Sequence, residues 1–378
     1  MPSHAKPPAP LLGRRALNRA TLARQLLLRR ERMGAEDAVA YLVGLQAQSV
    51  QPPYYQLLAR IADFGTDELA ELIKSRRVVR IVTLRSTLHA HTATDARALS
   101  ATVQPARDRE VKQFRKGLAG VDHKRLLTLA RALVEEEPRT PAQIREAMRV
   151  RWPGADPQSL FVAVRCGLPL VQVTPRGVWG SSGQVRLTTL GKWLGQDDRD
   201  AQPAPIEEVA RRYLAAFGPA SVQDMQRWSG LTGLRPAFER LRSELVVFRD
   251  EGGVELFDLP EAPRPDEDTP APPRFLPEYD NVLLSHRDRT RIVPAEAKGR
   301  LWKGNVPNRA LLVDGFLAGI WNLRQQGGAA VLTVEAFRAF TEAQTEEVAA
   351  EGERLLGTMS PAGGRRVRFG PLAAPPSS

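Results

Sequence analysis

The chain has 378 residues, of which 42% are hydrophobic, and a formal net charge of +11. This length accommodates two or three domains with ordinary cores, and the positive charge indicates a polyanionic partner, most simply nucleic acid, although a merely basic soluble protein is the alternative. The single cysteine, Cys166, excludes an internal disulfide and a cysteine-based zinc site, which fits a cytoplasmic protein. No run of 18 apolar residues occurs, so we expect no membrane span.

A first unit is expected over 13–120. Its beginning, 14–32, is rich in arginine, and Thr21 is expected to cap a helix whose basic face either contacts phosphates or is simply solvated. The β-branched run 78–84 predicts a strand. Apolar periodicity predicts three helices before it, at 35–45, 55–63 and 66–76. Helices followed by a short β element are the layout of a winged helix.

Two glutamines, Gln46 and Gln48, lie where the helix at 35–45 gives way to an extended segment that ends in Pro52 and Pro53. In an extended backbone, residues i and i+2 point to the same side, so the two amides can converge on a water, a base edge or a sugar oxygen. An amide does not titrate, but it holds a water by donating and accepting at once. The alternative is that both side chains cap the preceding helix and bridge to the next one.

Arg85, Thr87 and His89 alternate along the segment after the strand at 78–84, and we expect them to share one face. They are candidates for contacting phosphate or lining a base pocket, and an exposed strand face is the alternative. His89 and His91 have the spacing of a chelating pair on a strand, but no third ligand is evident, so we predict no metal. The sequence also lacks a phosphate-cradling glycine loop, and we predict no cofactor.

The helix-then-strand pattern recurs twice more. The unit at 121–200 has a helix at 123–136 and a second helix that begins at Pro141 with Thr140 as its cap. Its strands are expected at 170–173, 177–179 and 184–187. The unit at 204–260 has a helix at 206–217, a helix capped by Ser221, and a third helix at 235–244. A hairpin turning at 250–253 completes this unit, the clearest winged helix of the three.

A β-rich region at 274–360 follows a Pro- and acid-rich linker at 260–273. We expect strands on either side of a basic hairpin, further strands at 310–320 and 329–334, and a final helix from Thr333 to about 355. Four hairpin residues are candidate DNA contacts: His286, Arg287, Arg289 and Arg291. A solvated surface turn is the alternative. The fold class is therefore α+β, with tandem winged-helix units followed by a small β-rich region and a terminal helix.

Three blocks of the sequence carry a resemblance to a known family. They are Gly44–Gln48, Leu84–His89 and Tyr279–Arg287, and together they resemble the winged-helix DNA glycosylases related to AlkZ. That resemblance implies hydrolysis of the N-glycosidic bond of N7-alkylguanine, including bulky adducts and interstrand crosslinks. It also implies that Gln46 and Gln48 position the attacking water and stabilise the sugar. Ser86 departs from the pattern, because many relatives have glycine there.

This chemistry needs little from the protein. Alkylation at N7 makes guanine cationic and a good leaving group, so the enzyme must mainly stabilise a positively charged sugar and hold a water against it. The expected partner is double-stranded DNA carrying alkylated guanine, bound by a monomer associated with the nucleoid. The competing hypothesis is a non-enzymatic transcriptional regulator built of tandem winged helices.

Overall fold

The structure, a computed structural model, describes residues 9–197, 202–303, 306–361 and 363–373. Within these ranges the helices are α1 (Arg14–Arg24), α2 (Ala35–Tyr41), α3 (Pro52–Arg60), α4 (Thr66–Lys74), α5 (Ala93–Thr102), α6 (Gln104–Gln113), α7 (His123–Glu136), α8 (Pro141–Arg151), α9 (Pro157–Gly167), α10 (Leu190–Leu194), α11 (Ile206–Phe217), α12 (Val222–Ser229), α13 (Arg235–Leu241) and α14 (Glu342–Met359). None of these described helices is long and apolar enough to cross a membrane.

The strands complete a mixed α+β architecture, as predicted. They are β1 (Leu11–Leu12), β2 (Leu45–Gln46), β3 (Val78–Val82), β4 (Leu88–Thr92), β5 (Leu170–Gln172), β6 (Leu187–Thr189), β7 (Val246–Asp250), β8 (Glu255–Asp258), β9 (Arg274–Leu276), β10 (Trp302–Lys303), β11 (Val306–Pro307), β12 (Arg309–Val313), β13 (Phe316–Gln326), β14 (Ala329–Ala336) and β15 (Gly364–Phe369).

An antiparallel sheet of order β2-β4-β3-β5-β6 joins segments that the sequence assigns to the first two units. The short strand β2 is its edge, and it carries the first glutamine. The strand expected at 177–179 is wrong: the chain turns there, and Gly177 has a φ of +103°. The unit boundaries stay a prediction, and residues 198–200 of the unit at 121–200 lie outside the described residues.

The segment from α11 to β8 forms three helices and a hairpin. Helix α11 has the predicted bounds, and β7 pairs with β8 across the predicted turn. Two predicted caps are confirmed, since the side chains of Thr140 and Ser221 complete capping boxes at the start of α8 and α12. Strand β1 adds to the hairpin by pairing in parallel with β7. That this segment is a winged helix stays a prediction.

The C-terminal sheet has the order β15-β14-β13-β12-β9 and packs against α3 and α14. Tyr55 of α3 meets Trp321 of β13 edge to face, with ring centroids 5.4 Å apart. The helix expected from Thr333 is wrong at its start. Thr333 lies inside β14 beside Val331 and Val334, whose β-branched side chains favour a strand, and the helix begins only after Thr341, which caps it.

The N-terminal arginines were expected to be solvated or to contact phosphates, and for two of them both alternatives are wrong. Arg19 and Arg24 are fully buried in ion pairs with Asp314 and Asp258. Thr21 lies inside α1 and does not cap a helix. A buried charge is stable only when it is paired and hydrogen-bonded, so these arginines join α1 to distant parts of the chain.

Candidate active site around the paired glutamines

A strained turn brings Gln46 into the central sheet. Helix α2 ends early because the chain reverses through Gly44, whose φ is +94°. A Cβ on Gly44 would lie 2.3 Å from the ring of His91, so only glycine fits there. Strand β2 follows and pairs Gln46 with His89 of β4. Pro52 and Pro53 then begin α3, where the missing proline N–H groups are tolerated.

The side chain of Gln46 is buried and its amide is oriented by an arginine. Nη2 of Arg85 donates to Oε1 of Gln46 at 2.6 Å, and Nη1 donates to the carbonyl oxygen of Trp228 at 2.5 Å. A guanidinium only donates, so the amide oxygen must face Arg85 and the amide nitrogen must point away. The backbone of Gln46 is fixed too, because its carbonyl accepts from Nε2 of Gln56 at 2.9 Å.

Gln48 lies just beyond the strand, and its side chain is exposed. Its Oε1 accepts from the backbone N–H of Leu88 at 3.3 Å, next to the ladder bond from Ala47 N to the Leu88 carbonyl. The side chain thus extends the pairing of β2 with β4. Among the described residues neither Nε2 of Gln46 nor Nε2 of Gln48 has a hydrogen-bond partner. Each oxygen also keeps a second lone pair, so both amides can still donate and accept.

The expectation that Arg85, Thr87 and His89 share one strand face is wrong. Only His89 lies in β4, while Arg85 belongs to a 3₁₀ turn at Leu84–Ser86 and has a φ of +54°. The hydroxyl of Thr87 turns back to donate to the Leu84 carbonyl at 3.0 Å. The turn aims Arg85 at Gln46, whereas a continuous strand would have carried it along the sheet.

His89 supports the glutamine site as a neutral group. Its Nδ1 lies 2.9 Å from the Thr87 carbonyl, which can only accept, so Nδ1 carries the proton and Nε2 faces Arg85 at 3.4 Å. Burial, followed by the charge of Arg85, holds the pKa of His89 well below its usual value. This environment favours the neutral form of His89, whose Nε2 faces the guanidinium that orients Gln46.

A group of arginines lines the open side of the site. Burial and the charges of Arg227 and Arg289 lower the pKa of Arg85 to about 10. Burial and the charge of Arg227 likewise lower the pKa of Arg289. The three like charges repel one another, and none has an ion pair among the described residues. We call Arg85, Arg227 and Arg289 the arginine cluster.

Two members of the arginine cluster, Arg85 and Arg227, line a groove between α6, the 3₁₀ turn and the end of α12. The groove holds a cavity of about 590 Å³, whose lining includes Arg85, Arg109, Gln113, Phe114, Gln226 and Arg227. Sequence reasoning missed Arg109 and Arg227. Both lie in helices among other charged residues, and no local pattern distinguishes them from solvated helix faces.

The expected basic hairpin at 286–291 is wrong. A 3₁₀ turn covers Asn281–Leu283, and the chain then runs as an irregular loop. His286 and Arg291 are buried, and Nη1 of Arg291 donates to the Pro219 carbonyl at 2.8 Å and lies 3.2 Å from Nε2 of His286. Arg287 is exposed and Arg289 is half-buried. The loop thus combines two groups facing outward with two that anchor it.

Two contacts hold the residues just before this loop against the glutamine turn and α3. Asn281 Nδ2 donates to the Gly44 carbonyl at 2.8 Å, and Asp280 forms a fully buried ion pair with Arg60 of α3, with N–O distances of 2.7 and 2.8 Å. The three blocks that carry the family resemblance therefore come together in space. Gly44–Gln48 lies between Leu84–His89 and the segment that begins at Tyr279.

Comparisons with known proteins agree with this convergence. The sequence model of the family described as "DNA glycosylase AlkZ-like" matches residues 39–358. No curated protein matches the sequence. Among solved structures, the Streptomyces sahachiroi DNA glycosylase AlkZ has a similar fold, with a TM-score of 0.76 and 18% identity over 94% of this chain and 99% of that chain. The resemblance seen in the sequence is confirmed: the chain belongs to the AlkZ-like family of DNA glycosylases, hydrolases that act on N-glycosidic bonds.

Proposed function

We propose that this enzyme releases N7-alkylguanine from double-stranded DNA, including bulky adducts and guanines tied into interstrand crosslinks, and that Gln46 and Gln48 are its catalytic residues. The observation that carries the proposal is the pair of neutral amides beside a groove lined by arginines that have no ion pair among the described residues. Each amide oxygen is oriented by one protein donor and keeps a second lone pair. A neutral pair suits a substrate that is already cationic, since no strong acid is needed to expel the base.

The two amides would hold the attacking water against C1′ of the sugar. The free lone pair of each Oε1 accepts one water hydrogen, so a lone pair of the water is left to form the new bond to C1′. The electron pair of the glycosidic bond leaves with the base and neutralises its positive charge, and the surplus proton of the water passes to solvent because an amide is not a base. The dipoles of the same two oxygens stabilise the positive charge that develops on the sugar. Because Arg85 fixes Gln46 and the Leu88 N–H fixes Gln48, little reorganisation is required when the transition state forms.

The arginine cluster would bind the phosphates that flank the lesion. Cations close to a developing sugar cation are unfavourable unless phosphates neutralise them, so DNA binding makes the cluster compatible with catalysis. Arg85 and Arg289 therefore remain proposed DNA contacts, together with the exposed Arg287 of the same loop. Thr87, His89, His286 and Arg291 are proposed to shape this surface from behind, because their polar atoms are engaged within the protein. We further propose that the three predicted units are winged helices and that a monomer binds DNA.

Incubation with a duplex that contains N7-methylguanine tests this function. In the presence of EDTA, we expect free N7-methylguanine and an abasic site, with no requirement for a nucleotide. Parallel duplexes that carry a bulky N7 monoadduct or an N7–N7 crosslink establish the range of lesions. Tight binding without base release on every one of these substrates contradicts the proposal, as does activity that disappears with EDTA.

A further inference from the structure

The outer face of the C-terminal sheet is basic. Paired residues of neighbouring strands point to the same side of a sheet, so the pairings Arg324–Val331–Arg366 and Asn322–Thr333–Arg368 place three arginines on one face. The opposite face is the one covered by α14, where Leu332 and Val367 pack into the core beside Gly352. We call Arg324, Arg366 and Arg368 the sheet arginines.

The sheet arginines are exposed, and among the described residues no carboxylate lies within ion-pair distance of them. Several other arginines that are exposed or half-buried do have such a partner. Arg149, Arg211 and Arg242 each pair with a glutamate, at N–O distances between 2.6 and 3.0 Å. Three adjacent cations with no such partner create a local positive potential that favours an anionic ligand.

Neutral hydrogen-bonding groups surround the sheet arginines. Asn322, Gln326 and Thr333 share their face. The carboxylate on this face belongs to Glu335, which lies two residues beyond Thr333 along β14 and therefore outside the two rows that hold the sheet arginines. Amide and hydroxyl groups beside arginine are the usual ligands of phosphate and sugar oxygens in protein–DNA complexes. Arg366 and Arg368 are spaced by two strand residues, or about 6.6 Å, and Arg324 lies two strands away from Arg366, or about 9.6 Å. The surface is therefore broad enough to contact several phosphates at once.

We propose that the sheet arginines form an auxiliary binding surface for the phosphates of double-stranded DNA, separate from the arginine cluster. Two of the three arginines lie in β15, beyond residues 39–358 that match the family model. The surface would bind phosphates of the duplex away from the damaged base. It would raise the affinity for DNA without changing the rate of the chemical step. An acidic protein partner is the other class of ligand that such a charge would attract, and the experiment below separates the two.

Two triple variants with the same loss of charge provide the test. The first is Arg324→Ala/Arg366→Ala/Arg368→Ala, and the control is Arg149→Ala/Arg211→Ala/Arg242→Ala. The dissociation constant of each for undamaged duplex is measured against salt concentration, with thermal melting to verify folding. Since each phosphate contact contributes about 0.9 to the log–log slope, we expect the first variant to lose about 2–3 from the slope and the control to lose less than about 1.

Two further readouts complete the test. Single-turnover excision at saturating enzyme should be unchanged in the first variant, because the sheet arginines do not touch the reacting atoms. A triple Arg→Lys variant should keep the salt slope, because lysine still neutralises phosphate as a point charge. An equal loss of slope in the two alanine triples, an unchanged slope in the first, or a lost slope in the lysine triple overturns the proposal. An unchanged slope would leave an acidic protein as the ligand that fits this charge.

Discussion

The guanidinium of Arg85 donates to Oε1 of Gln46 at 2.6 Å, and this contact determines which end of the amide faces Arg85. The same guanidinium reaches the Trp228 carbonyl at the end of α12. Gln46, in the block Gly44–Gln48, is thereby held by Arg85, in the block Leu84–His89. Arg85 is itself held by α12, a helix more than a hundred residues later in the chain. Arg85 is in this view a positioning residue for Gln46 as well as part of the arginine cluster.

Arg85→Lys should separate these two roles. Lysine keeps the positive charge but cannot donate along two fixed directions, so Gln46 loses its orientation while phosphate attraction is largely kept. We expect single-turnover excision of N7-methylguanine to fall by roughly 10- to 100-fold, with DNA affinity changed by less than about threefold. Arg109→Lys is the matched control, because Arg109 lines the same groove without contacting either glutamine. Normal excision by the Arg85 variant would show that the contact is structural only.

Ser86→Gly should stabilise the protein. Ser86 has a φ of +56°, a conformation that costs an L-residue about 1 kcal/mol or more and costs glycine little. After the larger backbone entropy of glycine in the unfolded chain is subtracted, we expect a gain of about 0.5 kcal/mol in the free energy of unfolding. Ser86→Ala removes the same hydroxyl but keeps the strain, so it should give no gain. Chemical denaturation of the two variants measures the difference, and equal stability would contradict the strain argument.

Stability should fall as the pH is lowered below about 6.5. Burial lowers the pKa of His91 from its ordinary 6.5 to about 4, so between these values the unfolded chain binds a proton that the folded chain does not. The unfolded state is therefore favoured as the pH falls, by on the order of 1–3 kcal/mol for this group. Melting temperatures from pH 7.5 to 4.5 should fall less steeply in His91→Gln than in the wild type. The exposed His123→Gln is the control, and identical slopes for all three proteins would contradict the assignment.

The two outward residues of the loop at 286–291 should behave differently from its anchors. We expect Arg289→Ala to weaken duplex binding by roughly 5- to 20-fold, with a shallower salt slope, because one phosphate contact is lost. Arg291→Ala should instead lower the melting temperature, since it leaves the Pro219 carbonyl without its donor and opens a space beside His286. Calorimetry and fluorescence anisotropy on both variants make the comparison. An Arg289 variant that melts early but binds normally would assign it to the anchors.

The sequence predicts best where local rules decide the structure. Thr140 and Ser221 cap helices as expected because an N-cap depends on residues within four positions. Helix α11 has its predicted bounds because its apolar stripe is continuous. The family resemblance depends on three short sequence blocks that can be recognised without knowing the fold, and it too is confirmed.

The sequence predicts poorly where partners are far apart along the chain. Nothing near Arg24 reveals that Asp258 will meet it in the core, so a buried arginine resembles a solvated one. Likewise, the basic run 286–291 between two apolar segments resembles a hairpin tip. The Pro219 carbonyl, which binds Arg291, and the Gly44 carbonyl, which binds the preceding Asn281, instead hold this part of the chain in an irregular path. Arg227 joins the site only through the packing of α12 beside the 3₁₀ turn, and no pattern in the sequence encodes that approach.

The most direct test of the account is single-turnover release of N7-methylguanine by Gln46→Ala and Gln48→Ala. We expect each variant to lose roughly a hundredfold or more in rate, because each amide would hold part of the same water and sugar site, while duplex affinity stays within about threefold of the wild type. Removing a neutral side chain leaves the charge of the arginine cluster unchanged. The contradicting result is a loss of about 1 kcal/mol in the free energy of unfolding of both variants, with the wild-type excision rate kept in the folded protein. In that case the glutamines only support the turn, and the catalytic assignment is wrong.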